Sequence, residues 1–340
     1  MNPYISDLLS QPATLRAALD HYSTSALDKI NLAEFDRIIL SGMGSSYNAA
    51  YPALIELAKQ PVPVQLINAA ELLHSLSGMI GTRSLLWLNS QSGRSAELVH
   101  ILERIRSAPP ACLLTFVNDV SSPMAEQADL CIPIHAGEES TVSTKTYTNM
   151  LAANLLAGIQ LISGDVEAAI REMRLASDAM ESYLADWEAR VQELDSLLGD
   201  FKQLYIIGRG SSMSAVWNGS LNNKEAAKCS FEGIHAADFR HGPLEVVESG
   251  FTALILAGTS TSAGMNRDLA RDILSFGGKV IWLDSSADVE FPTLLIPKTG
   301  EFSLPLVEIL PLQMLTLVMA KRKNIEAGSF RHITKITSKE

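Results

Sequence analysis

The sequence predicts an α/β protein made of two tandem, doubly wound parallel-sheet domains related by a pseudo-twofold axis. Two observations support this fold class: a glycine-serine motif occurs twice, and apolar runs alternate with helical patterns in both halves. The chain has 340 residues, which is enough for two domains of the usual ~100–200 residues each. Since 47% of the residues are hydrophobic and 19% are charged, large buried cores are expected rather than disorder.

The repeated motif lies in the segments IILSGMGSS and YIIGRGSS. At a constant offset of 166 (208 − 42), its four matching residues are Gly42, Gly44, Ser45 and Ser46 in one copy and Gly208, Gly210, Ser211 and Ser212 in the other. In each copy an apolar run precedes the motif and a helical pattern follows it. Two copies of one α/β domain explain this arrangement most simply.

Apolar runs identify the strands. The first half contains VPVQLIN, SLLWLNS, ACLLTFVN and DLCIPIH, and the second contains LYIIG, FTALILAG, KVIWLD and TLLIP. Because these runs lack regular polar alternation, they indicate strands buried on both faces, as in a parallel sheet. The predicted segments are an N-terminal helical segment (1–24), a first domain (25–164), a helical connector (165–198), a second domain (199–325) and a C-terminal tail (326–340).

Composition excludes several classes of function. The net charge of −11 argues against a nucleic-acid partner, and no apolar stretch approaches the ~18 residues of a membrane span. No signal peptide is visible, and three dispersed cysteines without a CxxC spacing fit a cytoplasmic protein without disulfides. The seven histidines form no metal-binding pattern, so neither a metal nor a cofactor is expected.

A polar junction follows one predicted strand in LWLNSQSGRSAEL. Ser90, Gln91, Ser92 and Ser95 surround Gly93 directly before a helical pattern. Ligands of open α/β sheets bind beyond the carboxyl ends of strands, and the N–H groups at a helix start suit a phosphate. We therefore expect a neutral phosphate cradle, with ordinary helix capping as the alternative. The polar segment GEESTVSTKTYT is expected to close the same pocket.

A dinucleotide site is the obvious rival, because GMGSSYNA contains G-x-G. The third glycine is missing, and Asn68 stands where a ribose-binding acid is expected. The sequence therefore does not predict a nicotinamide cofactor.

Glu225 lies in a helical pattern, and His241 precedes Gly-Pro in a predicted loop. A carboxylate and an imidazole provide two proton carriers that work near neutral pH. Taken alone, however, the two residues are more typical of a solvated helix position and a loop histidine.

The combined motifs resemble those of the sugar isomerase (SIS) family. They are Gly44-Ser45-Ser46, SQSG at Ser90–Gly93, STK at Ser143–Lys145, and Glu225 followed sixteen residues later (241 − 225) by His241. The chain looks most like the isomerase half of glucosamine–fructose-6-phosphate aminotransferase and its stand-alone relatives, from about Phe35 to Lys335. This resemblance implies flavodoxin-like domains and a phosphorylated sugar as the substrate.

The resemblance also implies roles for the matching residues. The substrate-binding residues are Gly44, Ser45, Ser46, Ser90, Gln91, Ser92, Ser95, Glu138 and Ser143, with Ser143 nearer the sugar and Glu138 near its amino end. Glu225 matches the base that moves a proton between C1 and C2. His241 matches the ring-opening residue, which reaches a neighbouring subunit's site, so a homodimer with shared active sites is implied. Lys335 matches the lysine that forms a Schiff base with the ketose carbonyl.

The implied reaction is conversion of glucosamine 6-phosphate to fructose 6-phosphate and ammonia. No glutaminase activity is expected, because the chain starts Met1-Asn2 and almost directly enters the region of resemblance. Three alternatives stay open: a sugar-phosphate aldose–ketose isomerase, a fructosamine-6-phosphate deglycase, and a non-enzymatic sugar-phosphate sensor. Phe330-Arg331 departs from the synthase, which has Pro before Arg. Arg94 replaces an acid and is expected either to contact phosphate or to be solvated.

Overall fold

The computed structural model describes residues 2–22, 27–332 and 334–335. Parts of the predicted N-terminal segment (1–24) and of the predicted tail (326–340) therefore lie outside the described residues. Lys335 is among the residues that the structure describes.

The chain divides into two compact units. The first unit consists of Ala13–Arg174 and Arg331–Glu340, and the second of Met1–Pro12 and Leu175–Phe330. Each unit contains one five-stranded sheet. The described residues from Arg331 onward thus belong to the first unit, although they follow the second sheet in the sequence.

The first sheet is parallel throughout, with the strand order β2-β1-β3-β4-β5. Its strands are β1 (Arg37–Gly42), β2 (Val64–Asn68), β3 (Ser84–Ser90), β4 (Cys112–Val117) and β5 (Leu130–Pro133). The first six helices of the chain are α1 (Pro3–His21), α2 (Gly44–Leu57), α3 (Ala69–His74), α4 (Ala96–Ile105), α5 (Pro123–Gln127) and α6 (Lys145–Leu161). This is the doubly wound order 2-1-3-4-5.

The second sheet has the same order, β7-β6-β8-β9-β10, and is also parallel. Its strands are β6 (Gln203–Gly208), β7 (Glu232–His235), β8 (Phe251–Leu256), β9 (Lys279–Asp284) and β10 (Thr293–Leu295). The remaining helices are α7 (Val166–Ala185), α8 (Trp187–Leu198), α9 (Met213–Ala226), α10 (Ala236–Arg240), α11 (Ser260–Ser275) and α12 (Leu304–Arg322). Short 3₁₀ turns occur at Leu32–Glu34, Ser77–Met79, Gly210–Ser212 and Pro243–Val246.

The predicted fold class is confirmed, because two parallel five-stranded sheets alternate with helices along the chain. The pseudo-twofold relation between the domains stays a prediction. The predicted connector (165–198) corresponds to the helices α7 and α8. The edge strand β7 is an element that the sequence analysis did not predict.

Each sheet is buried by its own apolar cluster. In the first unit all seven residues of β3 are buried, as expected of a strand covered on both faces. Trp87 on this strand stacks on Phe116 and donates a hydrogen bond of 2.8 Å from Nε1 to Asn154 of α6. In the second unit Phe239 and Phe251 pack with Trp282 in the equivalent cluster.

The helix α12 is long and apolar enough to cross a membrane by length and composition alone. However, 89% of its most apolar 18-residue window is buried inside the protein. A helix at the centre of a folded core has the same composition, so α12 is weak evidence for a span.

Candidate active site

The carboxyl ends of β1 and β3 form the topological switch point of the first sheet. The two strands are neighbours, but the chain continues from β1 to β2 on one side and from β3 to β4 on the other. Ligands of doubly wound sheets bind in the crevice that this reversal leaves open. Two loops that contain predicted substrate-binding residues, at positions 42–46 and 90–95, begin at these strand ends.

The first loop brings the start of α2 close to the end of β3. A Cβ atom on Gly42 would lie 3.0 Å from the carbonyl oxygen of Asn89 and 3.1 Å from the amide nitrogen of Tyr47, so a side chain there would be crowded by backbone atoms. The N-cap residue Met43 makes no side-chain capping bond. Gly44 (φ +50°) opens the helix, and Ser45 is buried while Ser46 is half-buried. The amides of Ser46 and Tyr47 donate to the carbonyl oxygen of Met43 over 3.1 and 3.3 Å, and the start of a helix such as α2 is a type of site at which anions bind.

The second loop contains a compact group of hydroxyls. The Oγ atoms of Ser90 and Ser95 are 3.2 Å apart, and the amide of Gly93 donates to Ser90 Oγ over 3.1 Å. The amide of Arg94 donates to Ser92 Oγ over 3.2 Å. Ser95 is the N-cap residue of α4, yet its side chain makes no capping bond. Ordinary capping therefore does not account for Ser95, which favours the phosphate-cradle interpretation.

Arg94 has a partner that the sequence analysis did not identify. Its Nε and Nη2 atoms lie 3.3 and 3.1 Å from Asp119 Oδ2, and Nη2 donates to the carbonyl oxygen of Ser121 over 3.0 Å. Hydrogen bonds from Ser121, followed by that from Arg94, hold the pKa of Asp119 below its ordinary value. Arg94 is thus paired with a carboxylate at the rim of the loop.

Lys335 is anchored to the loop that follows β5. Its Nζ atom lies 3.0 Å from Glu139 Oε2 and 2.9 Å from the carbonyl oxygen of Thr141, and it also contacts the carbonyl oxygen of Glu139. The Glu139 carboxylate is buried and accepts hydrogen bonds from the amides and hydroxyls of Thr144 and Thr146 over 2.6–3.1 Å. These contacts hold the ammonium group of Lys335 against the loop.

A cavity of about 950 Å³ in the first unit joins several predicted site residues. Its lining includes Gln91, Glu138, Glu139 and Lys335 together with His21 and His135. Of these residues, Glu138 is exposed, whereas the neighbouring Glu139 is buried. Ser143 directly precedes Thr144, the N-cap residue of α6. The structure thus places Gln91, Glu138 and Lys335 around one cavity. Gln91 was predicted to bind the substrate from the phosphate loop, and Glu138 to lie near its amino end.

The predicted proton carriers belong to the second unit. Glu225 lies in the last turn of α9 and is half-buried. Burial raises its pKa to about 7, against the opposing effect of the Lys228 charge. His241 follows α10 directly and is exposed, with its amide donating to the carbonyl oxygen of Asp238 over 2.9 Å. The catalytic roles of Glu225 and His241 stay predictions.

In the second unit, acidic side chains of the protein itself contact the second glycine-serine motif and the start of α11. Ser212 Oγ donates to Oε1 of the buried Glu308 over 2.8 Å. Burial raises the pKa of Glu308 to about 8, with a smaller opposing contribution from the Ser212 hydrogen bond. The Glu301 carboxylate accepts the amide of Ser260 at the start of α11 over 2.7 Å. The second copy of the motif thus faces a buried carboxyl group of the protein itself.

Sequence reasoning missed Glu139 and Glu308. The adjacent acids of GEEST give no signal for which one is buried, and Glu308 lies within an otherwise apolar run. Among the residues that the structure describes, no three His, Cys, Asp or Glu side chains converge in a way that could hold a metal ion.

Comparison with known protein families identifies residues 31–159 as a SIS domain. The chain is 28% identical to the isomerizing glutamine–fructose-6-phosphate aminotransferase of Pyrococcus horikoshii over 346 residues. This similarity covers 99% of the chain but 57% of that protein, so the chain spans little more than half the length of this curated relative.

Solved structures of low sequence identity share the fold. The C-terminal domain of glucosamine-fructose-6-phosphate aminotransferase from Francisella tularensis matches with a TM-score of 0.81 and 20% identity, covering 97% of this chain and 98% of that one. Glucosamine-6-phosphate deaminase from Thermotoga maritima matches with a TM-score of 0.80 and 17% identity, covering 98% and 99%. The arrangement of strands and helices is therefore that of these solved structures.

Proposed function

We propose that this chain, whose residues 31–159 match the SIS domain, is a phosphosugar isomerase that acts on an amino sugar phosphate. In its simplest form the reaction converts glucosamine 6-phosphate and water to fructose 6-phosphate and ammonia. One observation carries the proposal: Gln91 of the phosphate loop, Glu138 and Lys335 line the same cavity.

The phosphate would bind at the switch point of the first sheet. Amides at the start of α2 and the hydroxyls of Ser90, Ser92 and Ser95 are neutral donors around one crevice. Such donors hold a dianion without a formal positive charge. With the phosphate there, Glu138 would face the cationic amine of the substrate.

Glu225 would transfer the proton between the two carbons, after His241 has assisted ring opening. The carboxylate takes the proton from C2 of the open-chain aldehyde and returns it to C1, which leaves an imine at C2. Hydrolysis of this imine consumes one water and releases ammonia and the ketose. A pKa of about 7 suits this role, because a base works best when its pKa lies near the operating pH.

In this hydrolysis the amine of Lys335 would attack C2 of the imine and displace ammonia. Water would then hydrolyse the resulting Schiff base and release the ketose. Glu139 Oε2 and two carbonyl oxygens face the ammonium of Lys335. The amine becomes a nucleophile only after it loses a proton, so attack would follow proton transfer to the substrate or solvent.

A second candidate is deglycation of a fructosamine 6-phosphate, in which the leaving group is a larger amine. The cavity volume of about 950 Å³ favours it, since this lies near the top of the ~300–1,000 Å³ range of ligand pockets. A hexose phosphate alone needs much less space.

A panel of phosphorylated sugars tests the proposal. Glucosamine 6-phosphate should give fructose 6-phosphate and ammonia in equal amounts, while unphosphorylated glucosamine gives neither. Release of a larger amine from fructosamine 6-phosphates, with no turnover of glucosamine 6-phosphate, would select the second candidate. Interconversion of unaminated aldose and ketose phosphates alone would reject both.

A further inference from the structure

Lys228 folds back onto the end of the helix that carries Glu225. It lies two residues beyond Ala226, the last residue of α9, and has the left-handed backbone conformation φ +57°. Residues other than glycine rarely adopt this conformation, so local contacts must stabilise it. The Nζ atom of Lys228 donates to the carbonyl oxygens of Glu225 and Ser329.

The same contact fastens a second chain segment to the helix end. The amide of Gly328 donates to the carbonyl oxygen of Ala226 over 3.2 Å, next to the contact between Lys228 and Ser329. Lys323 donates from Nζ to the carbonyl oxygen of Lys228. Lys228 therefore lies at the centre of a group of contacts that joins α9 to the segment 326–330, the first part of the tail.

The charge of Lys228 acts on the Glu225 carboxylate. Burial raises the pKa of Glu225 to about 7, and the positive charge of Lys228 opposes this rise. Lys224 precedes Glu225 directly, but it is exposed and contributes nothing comparable to this pKa. The second cation of the group, Lys323, contacts the Lys228 backbone rather than Glu225.

We propose that Lys228 is a positioning residue for the reaction: its ammonium, bound to the carbonyl oxygens of Glu225 and Ser329, fixes the end of α9 that carries Glu225 against segment 326–330. This inference rests on the proposed function, because it needs Glu225 to be the base. Lys228 itself contacts two backbone carbonyls and is not expected to touch the substrate.

The first test is the pH profile of kcat/KM for Lys228→Gln, which removes the charge but keeps a hydrogen-bond donor. The acid limb should move upward from about 7 by about one pH unit, since a nearby opposite charge lowers a carboxyl pKa by ~1–3 units. Activity should fall about fivefold at pH 7 and return to that of the unmodified protein near pH 9. Lys228→Arg should restore the profile.

Lys224→Gln is the matched control, because it removes the same charge one residue from Glu225. Its profile should equal that of the unmodified protein. An unshifted limb in Lys228→Gln, or equal shifts in the two variants, would overturn the proposal.

A second measurement needs no turnover and so separates this inference from the proposed function. The side-chain carboxyl carbon of Glu225 can be titrated by ¹³C NMR, with its signal assigned through Glu225→Gln. The midpoint should rise in Lys228→Gln and stay unchanged in Lys224→Gln, even if no sugar phosphate proves to be a substrate. Identical midpoints in all three proteins would refute the role of Lys228.

Discussion

Lys335 and Glu139 are 196 positions apart in the sequence, yet Nζ of one lies 3.0 Å from Oε2 of the other. The carboxylate is buried, and the lysine side chain is 23% exposed. This ion pair fixes the end of the described tail on the loop after β5. The proposed Schiff-base lysine thereby becomes part of the cavity wall.

Glu139→Gln should destabilise the protein. The amide has one acceptor oxygen in place of two, and its NH₂ group would face the donors of Thr144, Thr146 or Lys335. Leaving buried donors unpaired should lower the free energy of unfolding in urea by about 1–3 kcal/mol. Glu138→Gln is the control and should change it by less than about 0.5 kcal/mol, because Glu138 is exposed. Equal effects of the two substitutions would contradict this account of the loop.

Borohydride reduction during turnover should attach the sugar phosphate covalently to Lys335. Mass spectrometry of the digested protein then locates the label. Lys335→Arg is the matched control, because it keeps the positive charge opposite Glu139 but cannot form an imine. Labelling of another lysine, or no labelling of an active enzyme, would exclude the Schiff-base role.

Ser95→Asp should weaken sugar-phosphate binding without unfolding the protein. Asp is a favoured N-cap residue, so α4 should keep its start, while the new charge repels the phosphate dianion. Calorimetry with sorbitol 6-phosphate, which has no carbonyl and cannot react, should show a loss of about tenfold or more.

The matched control for this substitution is Thr259→Asp at the N-cap of α11 in the other unit. The carboxylate of Glu301 already accepts the first amide of that helix, so no phosphate should bind there. Its affinity for sorbitol 6-phosphate should equal that of the unmodified protein. Equal losses of affinity in both variants, or no loss of affinity in Ser95→Asp, would show that the phosphate does not bind in the loop that contains Ser95.

Stability at alkaline pH should depend on Glu308. Its folded-state pKa is raised to about 8 from an ordinary 4.5, so the protonated form is favoured by folding. That contribution is complete below about pH 4.5 and is lost as the pH rises towards 8. Urea unfolding should show Glu308→Gln gaining stability relative to the unmodified protein between pH 5 and 9, whereas Glu248→Gln, at an exposed site, should not. A constant difference across this range would contradict the prediction.

Most of the fold was predictable because parallel strands buried on both faces leave uninterrupted apolar runs. The run SLLWLNS corresponds residue for residue to β3 (Ser84–Ser90). The strand β7 (Glu232–His235) was missed because it lies at a sheet edge, is four residues long and contains no fully buried residue. Its formation depends on pairing with β6, which local sequence does not reveal.

The candidate site was predictable where it depends on local loops and not where it depends on distant pairing. Ser90 and Ser95 are five positions apart, and the strand-to-helix junction suffices to bring them together. By contrast, the pairs Arg94–Asp119 and Lys335–Glu139 join separate loops. The resemblance to a known family indicated Lys335, but nothing in the local sequence indicated its buried counter-charge.

The central claim is that Glu225 carries a proton between C1 and C2 of an amino sugar phosphate. Glu225→Gln keeps the size of the side chain and removes its basicity, so ligand binding should survive. Loss of a general base should lower kcat by about 10²–10⁴-fold with little change in KM. Glu232→Gln, at an exposed acid on β7, is the control and should keep full activity.

Solvent deuterium incorporation at C1 and C2 of the sugar, followed by NMR, measures the proton transfer itself. The account predicts rapid incorporation with the unmodified protein and with Glu232→Gln. It predicts a loss with Glu225→Gln that parallels the loss in kcat. Incorporation at the unmodified rate in a Glu225→Gln protein that binds ligand normally would contradict the account.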